Sequence, residues 1–516
     1  MSWQGEIDEL EQRLEWARQM GGEAGVERQH GRGKLTARER IELLADPGSF
    51  REFMALVGDA RYEDGSIVSF VPKAEVDGYC EVHGRKVVVT ASDFTVRGGS
   101  GGLDGGVGSE QLPNQRALTE QRPFVRLLDS AGGTVEKLDK IGRTYLPDGN
   151  IWGQIDVALL SAVPVVSAAL GSVAGLPAIN ACLSHLSIMV KGISQIFPGG
   201  PPVVKAALGV DIDKEALGGW QIHARSGVVD NIVNTEQEAF DQIRTFLRYL
   251  PSSVWESAPR FGAGAEPALP DEDLLAMVPR EARRPFDAHR LISSVVDRGS
   301  FFEIAGLYGR SRITGLARVD GYPIGVMANN PRHLGGATDV AAGEKAIRLI
   351  RLCDTFHLPL VSFADEPGFM VGRDAEYTGI ERAGARLICA TCESRMPWLT
   401  FVIRRLYGVA GSCHQRPTGM FRRFAWPSAR WGSMHIQGGA DAAFRGQIAA
   451  AADPEAERRM IEARLEQLAS PFRTAEATGQ DIIDPRDTRR LLAEFVADAQ
   501  PVLHRQLGPP PLPYRP

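Results

Sequence analysis

The chain has 516 residues, 43% apolar and 24% charged, with a net charge of −6 and a pI near 6.0. That length provides for about two to four domains, and the mild acidity argues against nucleic acid or an anionic membrane as the main partner. No apolar run reaches the roughly 18–20 residues of a membrane-spanning helix; the longest candidate, Leu159–Leu183, is broken by Pro164, Gly171, Gly175 and Pro177.

The N-terminal "MSWQGEIDELEQRLEWARQMGG" lacks the basic-then-apolar order of a signal peptide and reads as a charged amphipathic helix. "HGRGKLTARERIELL" (His30–Leu44) carries Arg32, Lys34, Arg38 and Arg40, which suit either phosphate contacts or an exposed helix. "SAVPVVSAALGSVAGLPA" (Ser161–Ala178) is a buried strand closing in a small-residue turn, Ala174-Gly175-Leu176-Pro177. "SAPRFGAGAEPALPDEDLL" (Ser257–Leu275) is rich in Pro, Gly, Ala and acid, as a linker is. "RVDGYPIGVMANN" predicts a hairpin turning at Asp320-Gly321. "DVAAGEKAIRLIRLCDTF" places Ala342, Ala346, Leu349 and Cys353 on one helical stripe, leaving Glu344 and Lys345 on a solvated face. "RMPWLTFVIRRLYGVAGSCH" (Arg395–His414) then repeats the pattern of strand and small-residue turn. The cysteines (Cys80, Cys182, Cys353, Cys389, Cys392, Cys413) are scattered like reduced thiols. Cys389-Ala-Thr-Cys392 has CxxC spacing without a second pair for zinc, and reads as two small core residues of a helix.

The chain contains itself twice. "DPGSFREF" (Asp46–Phe53) matches "DRGSFFEI" (Asp297–Ile304). "VHGRKVVVTASDFTVRGGS" (Val82–Ser100) aligns without a gap on "VDGYPIGVMANNPRHLGGA" (Val319–Ala337), pairing Gly98 with Gly335 and Gly99 with Gly336. "PFVRLLDSAGG" (Pro123–Gly133) matches "PLVSFADEPGF" (Pro359–Phe369), pairing Asp129 with Asp365 and Gly132 with Gly368. "VPVVSAALGSVAGL" (Val163–Leu176) matches "MPWLTFVIRRLYGV" (Met396–Val409), pairing Gly175 with Gly408. Matching blocks in one order imply a duplicated domain, and the alternation of strands and helices makes it α/β.

A turn between a strand and a helix aims unpaired N–H groups outward, reinforced by the helix's positive end. Small residues admit a ligand oxygen, and such donors stabilise a developing oxyanion. One turn per copy suits chemistry with two oxyanions; alternatively, Gly175 and Gly408 merely permit tight turns. Asp129 and Asp365 are equally suited to capping. His185, His223 and His414 have no partner at metal or triad spacing and read as structural or surface histidines.

At these residues the chain resembles the carboxyltransferase β subunits of biotin-dependent acyl-CoA carboxylases, the propionyl-CoA and methylcrotonyl-CoA carboxylase family. The likeness runs from about Gly31 to Arg490 and rests on "GKLTARERIELLADPGSF", "SDFTVRGGS", "DSAGG", "IFPGGPPVVKAALG", "EALGGWQIHARSGVVD", "ADEPGFMVG", "RRLYGVAG" and "DPRDTRRLL". The resemblance implies two crotonase-like domains: 1–256 binding acyl-CoA and 276–516 binding biotin, joined by a linker at 257–275. The active site would pair the N domain of one subunit with the C domain of another in a homo-oligomer of dimers, hexameric in type. Carboxybiotin, brought on a separate biotin carrier by a biotin carboxylase partner, would release CO2. The biotin enolate left behind would take the thioester α-proton, so no protein nucleophile is needed.

Carried over, the backbone oxyanion holes fall on Gly175 and Leu176, and on Val409 and Ala410. Gly98, Gly99, Gly132 and Gly133 fall on the acyl-CoA side, and Gly368, Phe369, Gly408 and Ser412 on the biotin and acyl-pocket side. The family has glycine at positions 176 and 409, an acidic residue at 412 in propionyl-type enzymes, and Asp at 185. After "DSAGG" it has "ARIQEG", where this chain has "TVEKLDK". These departures are expected around the acyl pocket, the bulkier Leu176 and Val409 narrowing the approach or altering the backbone angle. "IFPGGPPVVKAA" leans toward the methylcrotonyl branch. With no biotin-attachment motif and no ATP loop evident, those functions fall to other chains, and no metal, nucleic acid or membrane is expected. The implied enzyme is cytoplasmic. A decarboxylase running the transfer in reverse and a non-catalytic acyl-CoA-binding paralogue are the alternatives.

Overall fold

The repeat seen in sequence is a repeat of strands. In the first half these are β1 (Arg51–Phe53), β2 (Gly58–Glu63), β3 (Ser66–Pro72), β4 (Glu75–Val82), β5 (Arg85–Ser92), β6 (Phe124–Ser130), β7 (Val165–Ala174), β8 (Leu186–Val190), β9 (Gln195–Phe197) and β10 (Asn231–Val233). In the second they are β11 (Phe302–Glu303), β12 (Arg312–Val319), β13 (Tyr322–Asn329), β14 (Leu360–Glu366), β15 (Trp398–Tyr407), β16 (Phe421–Ala425), β17 (Arg430–Gly432) and β18 (Asp481–Ile482). The computed structural model describes residues 2–100, 108–133, 139, 142–144, 150–262, 264–281, 283–415 and 418–516.

Among the described residues the first sheet runs β1-β4-β5-β6-β7-β8-β10 with β9 beside β7. The second runs β11-β12-β13-β14-β15-β16-β18 with β17 beside β15. Setting aside the separate β2–β3 hairpin, the two orders agree term by term, and the fold is a duplicated crotonase-like α/β domain. In each sheet the first pairs are antiparallel and those from β5 or β13 onward parallel. Parallel strands are covered on both faces, which is why β6 and β14 are buried at every residue. Asp320 and Gly321 turn the β12–β13 hairpin with positive φ at both positions, 49° and 77°, the twist a two-residue hairpin needs.

Two units account for the chain: Met1–Glu256 with Pro513–Pro516, and Ser257–Leu512. The linker-like stretch Ser257–Leu275 lies within the second unit, where the Phe261 N–H donates to Gly321 O (3.0 Å) and the Ala268 N–H to Ser293 O (3.3 Å). Helices cover the sheets through apolar stripes. Ala239, Phe240, Ile243, Phe246 and Leu247 are buried along Glu236–Tyr249, while Ala342, Ala346, Leu349 and Cys353 are buried along Val340–Thr355.

Two expectations about helices are corrected. Lys345 is buried, its ammonium donating to Tyr308 O (3.0 Å) and Arg312 O (2.8 Å), while Glu344 accepts from the Tyr308 hydroxyl (2.8 Å). Two carbonyl partners hold the buried ammonium of Lys345, whereas Glu344 keeps to the solvated side, 41% exposed and paired with Arg386 (3.0 Å). Cys389 and Cys392 sit on the helix Ile380–Glu393 but are exposed, because Ala383, Gly384, Leu387 and Ala390 form its inner stripe.

Candidate active site at the strand-end turns

Each repeat interrupts the same strand pair at the same point. Register shifts between Leu128 and Ser130 where β6 meets β7, and between Ala364 and Glu366 where β14 meets β15. An irregularity of this kind re-aims side chains and is frequent beside active sites. The residue at the shift is Asp129 in one repeat and Asp365 in the other, both fully buried. Their charges are met from different places. Asp129 accepts from Lys34 Nζ (2.7 and 2.9 Å), Arg40 Nη1 (3.1 Å) and Gln29 Nε2 (2.9 Å), all from the N-terminal segment. Asp365 accepts from Arg404 Nη2 (2.8 Å) and Arg405 Nε (2.7 Å) on β15 itself. Burial works to raise the Asp365 carboxyl, but Arg405 and Arg404 hold it below the ordinary range. Gly171 explains the difference: a Cβ there would lie 1.9 Å from Asp129 Oδ1, so the first repeat has no room for the side chain that Arg404 carries at the matching position.

Three of the four cations of the basic segment are therefore engaged within the protein. Lys34 and Arg40 are buried on Asp129, Arg40 is also paired with Glu236 (2.8 Å), and Arg38 is paired with Glu52 (2.9 Å). Arg32 remains exposed, its guanidinium over the Phe94 ring at 5.6 Å. Sequence spacing could not show this, because the acids are 89 to 196 residues away from Arg40.

The first turn gathers six of the expected residues. Gly132 lies so close to the end of β7 that a Cβ there would meet Ala174 O at 2.5 Å; a Cβ on Gly175 would stand 4.0 Å from Gly132 Cα and Gly133 N. Gly99 packs on the end of β6, where a Cβ would lie 2.4 Å from Asp129 O, and Gly98 O accepts from the Ala131 N–H (2.9 Å). Gly175 takes φ 66° and ψ −131°, open to glycine alone, and its N–H is used by Phe197 O at 3.2 Å. Of the expected donor pair only Leu176 presents an N–H with no acceptor among the described residues; the next residue, Pro177, has none to offer.

The second turn brings Gly408, Val409, Ala410 and Ser412 together in one short helix, Gly408–Ser412. The main-chain N–H groups of Gly408, Val409 and Ala410 have no acceptor among the described residues. The Ser412 hydroxyl donates to Val409 O (2.6 Å). Gly368 lies at the end of β14 and donates its N–H to Glu366 Oε1 (3.1 Å), whereas Phe369 sends its ring to the helix Ile380–Glu393, against Gly384. Leu176 and Val409 do not distort their turns, as the positive φ is taken by the preceding glycines, 66° at Gly175 and 60° at Gly408. Both side chains are exposed, 40% and 60%.

The histidines are structural. His185 immediately precedes β8 and lies beside the start of β7, its Nδ1 accepting from the Val165 N–H (3.0 Å), its Nε2 facing Leu160 O (2.9 Å) and its ring against Tyr514. β7 is ten residues long, so His185 stands about 30 Å from the Gly175 turn and not at an acyl pocket. His185→Ala is expected to lower the melting temperature while leaving KM for the acyl substrate unchanged, which initial rates and thermal melts would show. His223 bonds Ile196 O through Nε2 (2.6 Å). Most of "TVEKLDK" lies outside the described residues. Among the described residues no group of three or more His, Cys, Asp or Glu could hold a metal ion, and no helix is long and apolar enough to cross a membrane.

His414 belongs to a buried cluster behind the second turn that sequence reading missed. Arg312 Nη1 lies 2.9 Å from His414 Nε2. A guanidinium nitrogen only donates, so Nε2 accepts and the ring proton sits on Nδ1, facing Ser362 Oγ at 2.6 Å. Burial and the Arg312 charge both lower the imidazole pKa, in keeping with a neutral ring. Burial works to raise Glu366, yet the Arg312 charge and the Thr338 hydroxyl hold it well below the ordinary carboxylate range; the neutral His414, its Nε2 3.3 Å from Glu366 Oε2, donates nothing to it. The stabilising contribution of Glu366 is therefore fully present above its unfolded value, about 4.3, and is lost as pH falls from there through the lowered native value. Glu366→Gln should flatten the loss of melting temperature across that window.

Both turns thus offer unengaged backbone donors, at Leu176 in one and at Gly408, Val409 and Ala410 in the other, which suit an oxygen that gains negative charge. The chain matches the carboxyl transferase domain family over residues 28–500. It is 36% identical to a propionyl-CoA carboxylase carboxyltransferase subunit of Haloferax mediterranei, covering 96% of each chain. It is 35% identical to a biotin-dependent acetyl-/propionyl-coenzyme A carboxylase beta5 subunit of Mycobacterium tuberculosis, covering 97% of this chain and 94% of the relative. A solved transcarboxylase 12S, described as a hexamer with methylmalonyl-coenzyme A bound, superimposes with a TM-score of 0.85 at 32% identity, covering 96% of this chain and 95% of the other. The chain belongs to the carboxyl transferase family, as a carboxyltransferase β subunit of the biotin-dependent acyl-CoA carboxylases.

Proposed function

We propose that the first unit holds the acyl-CoA thioester and the second holds biotin delivered by a separate carrier. The observation that carries this reading is the duplication itself: two equivalent turns, each with unengaged N–H groups, serve two substrates whose reacting oxygens both gain negative charge. When bound, carboxybiotin supplies the CO2 and the base for the thioester α-proton. In the first unit the Leu176 N–H stabilises the thioester enolate oxygen, and Gly133, whose N–H also lacks an acceptor among the described residues, adds a second donor from the facing turn. Gly175 sets the turn by its positive φ rather than donating, and Gly98, Gly99 and Gly132 pack the wall behind it. In the second unit Val409 and Ala410 hold the ureido oxygen, while Gly408, Gly368 and Phe369 shape the approach. Ser412, at the end of that turn, is the second unit's candidate for influencing acyl choice.

The names of the relatives support a short acyl group, propionyl or acetyl; to this we add a cytoplasmic homo-oligomer fed by a biotin carboxylase and carrier subunit. The test is to purify the protein with its associated chains, blot for biotin, and offer acetyl-, propionyl- and 3-methylcrotonyl-CoA with ATP and labelled bicarbonate. A biotinylated partner with label entering a short acyl-CoA is expected. Binding of acyl-CoA without any transfer would leave a non-catalytic paralogue.

A further inference from the structure

The two repeats hold their glycine turns by different chemistry, and the difference falls behind the second. At the end of β6, the Ser130 hydroxyl donates to Gly99 O (2.5 Å) and accepts from the Gly132 N–H (3.2 Å). The matching residue on β14 is Glu366, whose Oε1 accepts from the Gly368 N–H (3.1 Å). The counterpart of Gly99, Gly336, has its carbonyl met by Asn329 Nδ2 (2.8 Å), which also donates to Glu366 Oε2 (2.9 Å). One neutral hydroxyl in the first repeat is thus replaced by a carboxylate and an amide in the second.

The carboxylate reaches further. Glu366 Oε2 accepts from Thr338 Oγ1 (2.6 Å) and Arg312 Nη2 (2.8 Å). Thr338 in turn donates its N–H to Gly368 O (3.1 Å), holding that glycine from both sides. Arg312 bonds His414, whose N–H donates to Gly411 O (3.2 Å) within the second turn. An unbroken bonded path therefore joins Gly368, at φ 131°, to the turn that begins at Gly408. Every side chain on the path is at most 1% exposed. The counterpart of Arg312 in the first repeat is Glu75, so this charged path belongs to the second repeat alone.

We propose that Glu366, acting through Thr338, Arg312 and His414, is a positioning residue that fixes the Gly368 loop against the Gly408–Ser412 turn and so pre-forms the biotin half of the site. The proposal rests on the assignment of the second unit to biotin. A carrier-borne group that visits repeatedly gains from donors already in place, since a misplacement of about 1 Å costs up to about 100-fold in rate.

The test uses the full-length chain with free biotin as probe, following carboxyl transfer from methylmalonyl-CoA to biotin, together with direct binding of acyl-CoA. Glu366→Gln should lower kcat/KM for biotin at least about 10-fold while the acyl-CoA dissociation constant stays within about twofold. Thr338→Val, which removes one hydroxyl from the same carboxylate and keeps its shape, should move the same constant in the same direction by a smaller factor. It carries the test if Glu366→Gln folds poorly. Biotin and acyl-CoA parameters that fall together, in proportion to the folded fraction, would overturn the positioning role. A change confined to acyl-CoA would uphold the positioning and overturn the assignment of the halves.

Discussion

Gly132→Ala should remove most transfer to acyl-CoA, lowering kcat/KM by at least about 100-fold, the loss typical of a displaced oxyanion donor. Gly132 has φ +81°, and a Cβ would stand 2.5 Å from Ala174 O and 3.0 Å from Ala174 C. These are backbone atoms at the end of β7 that cannot rotate away, so the strand end and the Gly175–Leu176 turn must move. The neighbouring Gly133→Ala is the control. Nothing lies within 4 Å of its Cβ and no left-handed φ is required there, and its N–H survives the substitution. Steady-state rates of the two variants, with circular dichroism to compare their folds, separate a displaced turn from general damage. Equal activity in both would remove the first turn from the chemistry.

The largest expected effect on stability is at Asp129. Asp129→Asn keeps the shape but leaves Lys34 and Arg40, 7% and 0% exposed, around a neutral amide. Breaking a buried ion pair from one side costs about 3–5 kcal/mol, which for a unit of this size lowers the melting temperature by about 10 °C. Burial already depresses the Lys34 pKa against the pull of Asp129, so without that carboxylate the ammonium is driven further toward its neutral form. The double variant Lys34→Met/Asp129→Asn should recover part of the loss. Calorimetry of the three proteins checks the set, and an Asp129→Asn melt within about 2 °C of the parent would show that the network adds little.

The fold was legible because duplication left blocks that align residue by residue, and β5 and β13, β6 and β14, and β7 and β15 begin and end at aligned residues of those blocks. The turns were legible for the same reason: Gly175 and Gly408 both take left-handed φ. What could not be read was which N–H groups are spoken for. The Gly175 N–H is used by Phe197, twenty-two residues away on β9, and only the pairing of β9 with β7 reveals it. Nor could the fate of the charges be read. Lys34, Arg40 and Lys345 look like surface cations along the chain, yet all are buried with partners 33 to 196 residues distant. The one signal available was that Asp129 and Asp365 recur at the same step of both repeats. A buried carboxylate at a break in the strands needs countercharge from somewhere.

The most direct test of the two-substrate account is transfer of label from ¹⁴C-bicarbonate to acyl-CoA, with ATP, the purified chain and its biotinylated partner. The account predicts label in the acyl-CoA that requires both proteins and is abolished by avidin. Label that enters acyl-CoA without the biotinylated partner, or none with every component present and folded, would contradict it.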